Sequence, residues 1–370
     1  MNKWHTIRAD KFCFDVTDGT HDSPKSQTAG RKLITSKHLK GYYIDFDSAN
    51  WISEADYQKV ITRSRVEQWD ILYSMIGTIG NMYLEKNPVI DYACKNMGIF
   101  KFNGNISDAY WMYYYLKSPQ AIAYINSHLR GSTQSYVPLG GLREMPVPVP
   151  PVEIRLGIIS ILRSIDDKIE NNQKINDNLE QQAQAIYTSM FIDNADPAWE
   201  QGQLSDLITV KYGKDHKKLA DGKYPVFGSG GIMRYVERPL YTGESVLIPR
   251  KGTLNNVMYV NEPFWSVDTM FFTEMKIPNV AKFVFHFVKA KDLASMNAGS
   301  AVPSMTTDIL NAMELSIPSA ERLAEFESVV APMYQAMQAN NRESSKLAEL
   351  RDNLLPKLMS GEVDVSEIRF

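Results

Sequence analysis

The sequence predicts an α+β protein: two mixed α/β globules separated by two long antiparallel coiled-coil helices and related by a pseudo-two-fold internal repeat. Three observations predict it. Short motifs recur in the same order about 170 residues apart, which marks a duplicated domain rather than a solenoid. Two stretches carry a narrow apolar stripe at alternating spacings of three and four, the pattern of a helix seam. The remainder consists of short apolar runs punctuated by Gly, Pro, Asn and Asp, the pattern of small sheets.

The repeat is read from four pairs. Gly77-Thr78-Ile79-Gly80-Asn81 recurs as Gly252-Thr253-Leu254-Asn255-Asn256, at an offset of 175. The aromatic stretch 109–117 recurs as 281–289, at 172. Gly131-Ser132 recurs as Gly299-Ser300, and Met145–Pro150 as Met313–Pro318, both at 168. Trp4 and Asp10 are echoed more weakly by Trp199 and Asp206. The offset only shrinks, so the second copy should have lost a few loop residues.

Four segments follow: a first globule over 1–150, a helix over 151–195, a second globule over 196–318 and a C-terminal helix over 319–370. In the first globule, Ile71-Leu72-Tyr73 reads as a strand and Trp111–Leu116 as a helix packed on a small mixed sheet, its aromatics core rather than base-stacking platforms. The first long helix carries one row at Ile158, Ile165, Asn172, Leu179 and Ile186, and a second at Leu162, Ile169, Asn176, Ala183 and Met190. In the second globule, Tyr224–Phe227, Ser245–Ile248 and Val257–Val260 read as strands and Phe283–Val288 as the packed helix. The last helix repeats the rows at Phe326, Met333, Asn340, Leu347, Leu354 and at Val330, Met337, Ser344, Arg351, Leu358. Asn172 and Asn340 hold the same seam position, where a polar residue costs stability but fixes register. The competing reading is that each helix packs only on its own globule. A helix of about 33 residues spans about 50 Å, matching roughly fifteen base pairs of B-form DNA.

Composition bounds the function. The 370 residues are 44% apolar and 22% charged with a net charge of −3, ordinary for a globular protein of two or three domains. Cys13 and Cys94 cannot build a disulfide framework and fit a reducing cytosol. No apolar stretch follows the N-terminal residues and no window is long enough to span a bilayer, so a cytoplasmic protein without a membrane partner is expected. The globule segments carry +3 and 0, the helix segments −3 each, so only the globules suit a polyanion.

Catalytic signals are missing from the sequence. It holds no P-loop and no Asn/Asp-Pro-Pro-Tyr/Phe box, and its six histidines show no metal spacing. His286, inside an apolar run, reads as a core residue. Val226–Gly231 resembles a glycine-rich nucleotide loop, but a turn with positive φ explains the glycines equally well. No catalytic residue, metal ligand or cofactor of the chain's own is expected.

Polar and basic loops recur instead in both globules. The first offers Thr20, His21, Lys25, Arg31, Lys32, Lys37, Arg63, Arg65, Thr133 and Gln134. The second offers Lys214, His216, Lys217, Lys218, Arg250, Lys251, Thr253, Asn255 and Asn256, with Ser300 beside them. These residue types hydrogen-bond phosphates and base edges, so double-stranded DNA is the expected ligand.

At this point the chain resembles the DNA-specificity subunits of type I restriction–modification systems over its full length. The resemblance rests on the globule–helix order, on Glu153–Leu162 running into Ile165-Asp166 and Ile169–Asn172, on the ending Leu350–Asp364, and on the turn Asp18-Gly19-Thr20-His21. It implies that the globules are target-recognition domains, each reading half of an interrupted, asymmetric site. It further implies that the helices bind two methyltransferase subunits, and that restriction subunits join them. S-adenosylmethionine, ATP and Mg would then belong to those partners, and this chain would be non-catalytic. The second globule departs from the pattern: Gly213-Lys214-Asp215-His216 lacks the Asp-Gly-Thr-His form, which questions an equal role for the two turns. A two-headed protein-binding scaffold and a detached specificity half of a fused restriction–methylation enzyme stay open as alternatives.

Overall fold

The computed structural model describes residues 4–296 and 304–365. The chain divides into two compact units, Met1–Gln173 with Asn341–Phe370, and Lys174–Asn340. The divisions fall inside two long helices, α6 (Val152–Thr188) and α10 (Ala320–Met359).

The first unit opens with β1 (His5–Arg8), which pairs antiparallel with β9 (Pro146–Val149), so the two ends of the head are stitched together before α6 begins. After α1 (Ala9–Phe12) comes a four-stranded antiparallel sheet in the order β2 (Asp15–Asp18), β8 (Met97–Lys101), β5 (Ile71–Ser74), β6 (Met82–Leu84). A three-stranded mixed sheet, β4 (Asn50–Ile52), β3 (Arg31–Ile34), β7 (Tyr92–Cys94), stands beside it, with β3 and β7 parallel. α2 (Glu54–Ser64) is capped by the Ser53 side chain and packs on the mixed sheet. α3 (Ile106–Leu116) is buried along its last two turns and forms the core with the antiparallel sheet, as the aromatic run predicts. α4 (Pro119–Ser127) and α5 (Leu139–Glu144) close the head.

The second unit repeats this topology strand for strand. β10 (Glu200–Gln203) pairs with β18 (Glu314–Ile317), and α7 (Leu204–Leu207) follows β10. The antiparallel sheet runs β11 (Ile208–Tyr212), β17 (Met270–Met275), β14 (Glu244–Pro249), β15 (Met258–Asn261). The mixed sheet runs β13 (Gly231–Val236), β12 (Asp221–Gly228), β16 (Trp265–Ser266). α8 (Ala281–Lys289) and α9 (Thr307–Asn311) correspond to α3 and α5. Even the weak echo holds: Trp4 and Trp199 each precede the first strand of their copy, and Asp10 and Asp206 lie in the short helix after it.

Two expectations need correction. Each head holds three sheets, not one small mixed sheet, because strands as short as three residues bury too little surface singly and must pack in layers. The offset shrinks mainly because a whole element is gone: β13 runs into β14 through residues 237–243, with nothing in place of α2. The recurrence Gly299-Ser300 lies outside the described residues.

The helices pack both on the heads and on each other. In the first unit, Ile158, Ile159 and Leu162 of α6 join Leu355, Leu358 and Met359 of α10 in the core of the head. In the second, Ala183, Tyr187, Leu323, Phe326, Val330 and Tyr334 do the same. Between these anchors the helices meet along a narrow seam, antiparallel within each unit. Ile165, Ile169, Asn172 and Asn176 are buried as expected. Leu179, Ile186, Met333, Met337, Asn340, Leu347 and Leu354 are only half-buried, and Tyr187, Tyr334 and Leu355 take the core positions one residue later. A straight helix of 3.6 residues per turn drifts against a strict heptad, and packing on the heads follows the straight helix. The seam asparagines are matched symmetrically: the Asn172 amide donates to Ser344 Oγ at 3.2 Å in one unit, and the Asn340 amide to Asn176 Oδ1 at 2.9 Å in the other.

Candidate nucleic-acid interface

In the first head, β2 and β5 run the same way, both antiparallel to β8, so the loops after them emerge at one edge. The loops after β3 and β7 join them there. Thr20 bridges Lys95, and the Lys95 amide donates to Ile34 O at 2.9 Å. The loop 130–136 closes over Ile76 through Tyr136.

The Asp-Gly-Thr-His turn has a physical account. Asp18 is buried, and its carboxylate accepts from the Arg63 guanidinium and faces His21 Nε2 at 2.9 Å, while the Ser64 hydroxyl donates to its carbonyl at 2.7 Å. Gly19 lies so close to the next strand that a Cβ would sit 2.5 Å from Cys94 O. His21 Nδ1 faces Asn96 Oδ1 at 2.9 Å. The turn therefore presents an exposed imidazole and guanidinium held by one buried carboxylate. In the second head the backbone of this turn is kept and its side chains are not. Gly213 N donates to Met270 O and Lys214 N to Ser266 O, matching Gly19 N to Met97 O and Thr20 N to Cys94 O. Gly213 is pressed against Val267 as Gly19 is against Cys94. Tyr212 stands where Asp18 does, and Lys214 where Thr20 does.

The glycine–threonine repeat forms the β5–β6 and β14–β15 connections, with Gly77 at φ +77° and Gly252 at φ +86°, a backbone region that favours glycine. Met75 O accepts from Val137 N, and Arg250 O from Met305 N, so the same pair of loops is tied in each head. The glycine-rich stretch 226–231 is the β12–β13 hairpin, with Gly231 at φ +109°.

Thr20, His21, Lys25, Lys37, Arg63, Thr133 and Gln134 thus share one edge of the first head, with all but Thr20 exposed. Arg31, Lys32 and Arg65 do not join them. Arg31 is held at the other end of β3 by Glu54 at 3.0 Å and Asp91 at 3.5 Å. Lys32 donates to Ala49 O at 2.9 Å and lies over the Trp51 ring. Arg65 sits beside Lys101, at the start of β2, where its carbonyl accepts from Nζ. In the second head, Lys214, Arg250, Lys251, Thr253, Asn255 and Asn256 gather at the corresponding edge. His216 is half-buried there, and Lys217 and Lys218 are exposed on the following turn. Asn255 is committed to Asp292 and Ala294, and Asn256 to Ser229 O, so these amides shape the loops. Sequence reasoning missed Lys95, Asn96 and Lys59. They lie on a strand turn and a helix face, and only the pairing of β7 with β3 brings Lys95 beside Thr20.

Residues 25–181 and 197–326 match the type I restriction modification DNA specificity domain. The chain belongs to this family. The MjaIX specificity subunit of a type I restriction enzyme from Methanocaldococcus jannaschii is 24% identical, over 90% of this chain and 87% of its own. The HindI specificity subunit from Haemophilus influenzae is 21% identical, over 81% and 88%. The crystal structure of a type I restriction–modification S subunit from M. genitalium superposes with a TM-score of 0.54 at 18% identity, covering 96% of each chain, and shares the fold. As a type I specificity subunit, the chain carries two copies of the target-recognition fold. Among the described residues no group of His, Cys, Asp and Glu is arranged to hold a metal ion, and no helix is long and apolar enough to cross a membrane.

Proposed function

We propose that the two heads each read one half of a bipartite, asymmetric duplex site, and that the chain supplies the address while partner subunits supply the chemistry. The observation that carries this is the recurrence, in both heads, of one loop edge bearing lysine, arginine, threonine and histidine on the same strand framework. Cations set on exposed loops take phosphates, and the hydroxyls and imidazole among them reach base edges. On this reading two methyltransferase subunits bind along α6 and α10, restriction subunits join them, and S-adenosylmethionine, ATP and Mg are held by those partners in the cytoplasm. Basic loops recurring in both heads favour duplex DNA over a protein-binding scaffold.

The test is a salt titration of duplex binding by the full chain with its methyltransferase. Affinity should fall steeply with salt. Lys217→Ala with Lys218→Ala should weaken binding and lower the slope of log K against log salt by roughly 1–2 units. Salt-independent binding, or none, would reject the reading.

A further inference from the structure

The tip of the β12–β13 hairpin carries apolar side chains where the surrounding edge is cationic. Ile232 and Met233 are 51% and 60% exposed, against a core that buries Val226 and Phe227 on the facing strand. The backbone turns them out deliberately. Gly228 pairs with Gly231, Phe227 with Ile232 and Val226 with Arg234, so Met233 is the extra residue of a β-bulge. Bulges re-aim a side chain and twist the strand that carries them. The tip is also fixed in place: Ser229 O accepts from Asn256 at 2.8 Å, and a Cβ on Gly252 would meet Ser229 Oγ at 2.7 Å. That seats Ser229, at the turn between the strands, against the loop that carries Lys251 and Thr253, while Met233 lies over Gly228, where a Cβ would sit 2.5 Å from its Sδ. Lys214 is tied to Ser266, the residue paired with Phe227, and so flanks the tip from the other side. Arg234 is held by Asp221 and Leu219 O, leaving the apolar pair uncovered.

We propose that this hairpin tip is a base-contacting wedge, with Ile232 and Met233 pressed onto the bases of duplex DNA while Lys214, Lys251 and Thr253 hold the phosphates on either side. The inference rests on the DNA-address reading and adds which side chains touch bases. Apolar side chains contact thymine methyl groups or enter between base steps, and neither act needs charge. The first head has no such hairpin, since its β3–β4 connection is the long segment 35–49, so the wedge would belong to one half-site only.

The experiment is methylation mapping of DNA modified by the full chain co-expressed with its methyltransferase, comparing the parent with Ile232→Ser/Met233→Ser and with Ile232→Ala/Met233→Ala. Both side chains are exposed, so the head should fold in either variant. Each variant should relax one or two positions of one half-site, accepting mismatched bases roughly 10-fold more readily, with the other half-site unchanged. Lys251→Ala should instead lower methylation at every site alike as salt rises, with the motif intact. A parental motif with undiminished discrimination in both variants would overturn the wedge. If the parent itself directs methylation to no motif, the address reading fails first.

Discussion

His286 shows what a buried polar residue does in this fold. It is fully buried on α8, stacked against Tyr187, with Nδ1 2.8 Å from Gln184 Oε1 and Nε2 2.9 Å from the Tyr334 hydroxyl. A neutral ring satisfies both, donating from Nδ1 to the amide oxygen and accepting at Nε2. Burial, aided by the nearby Lys289, lowers its pKa to about 3. The folded value lies below the ordinary one, so the unfolded chain binds the proton first. Stability is full above about pH 6.5 and is lost as pH falls toward 3. His286→Gln should flatten that decline in urea melts between pH 7 and 4, and an unchanged pH profile would contradict the assignment. In the first head the buried Tyr114 stands in the corresponding place, and a charged cluster lies nearby. Arg351 meets Asp166 at 2.8 Å and Tyr42 at 2.7 Å, and Lys117, its pKa lowered to about 8 by burial, stands 3.7 Å from the same carboxylate. Arg351→Ala removes the nearest cation from Asp166, leaving it the Tyr42 hydroxyl at 3.2 Å and the more distant Lys117, and should cost about 3 kcal/mol in urea unfolding; a loss below about 1 kcal/mol would mean Lys117 takes over the pairing. The sequence placed His286 in the core from its apolar neighbours. It could not place Asp166 with Arg351, which lie 185 residues apart.

At the scale of elements, the four strands and two helices read from apolar runs are present, because a short run bounded by turn residues has few other ways to bury itself. The edge that gathers the basic loops was not legible, because it depends on which strands run parallel. Arg31 and Arg65 look like Arg63 in sequence and end elsewhere. The seam was legible in its middle, where only helix meets helix, and displaced at its ends, where the heads impose a 3.6-residue period. The pairs Asn172–Ser344 and Asn176–Asn340 set the register there. One heptad inserted after Lys174 and another after Asn341 should preserve the seam and add about 10 Å of helix. If the helices act as the spacer, methylation mapping of that variant should find a gap between half-sites longer by about three base pairs, or a steep loss of activity from the added rotation of DNA. Full activity at the original spacing would show that the helices do not set it.

For the whole molecule, the duplication was visible in the sequence because the loop glycines and the strand–helix closures recur in both copies, where the same turns and pairings need them. The missing α2 was hidden because an insertion leaves only a change of offset. The same strand framework carries different edges in its two copies: a buried carboxylate holding Arg63 and His21 in one, a lysine turn and an apolar hairpin in the other. Two unlike edges on one framework are what an asymmetric site requires. Each head should therefore read its half independently of the other. The decisive experiment replaces residues 1–150 with the first head of another family member and maps the DNA methylation that the hybrid directs. One half of the recognised motif should change while the other half and the spacing stay as they were; a change in both halves would show that the heads do not read independently.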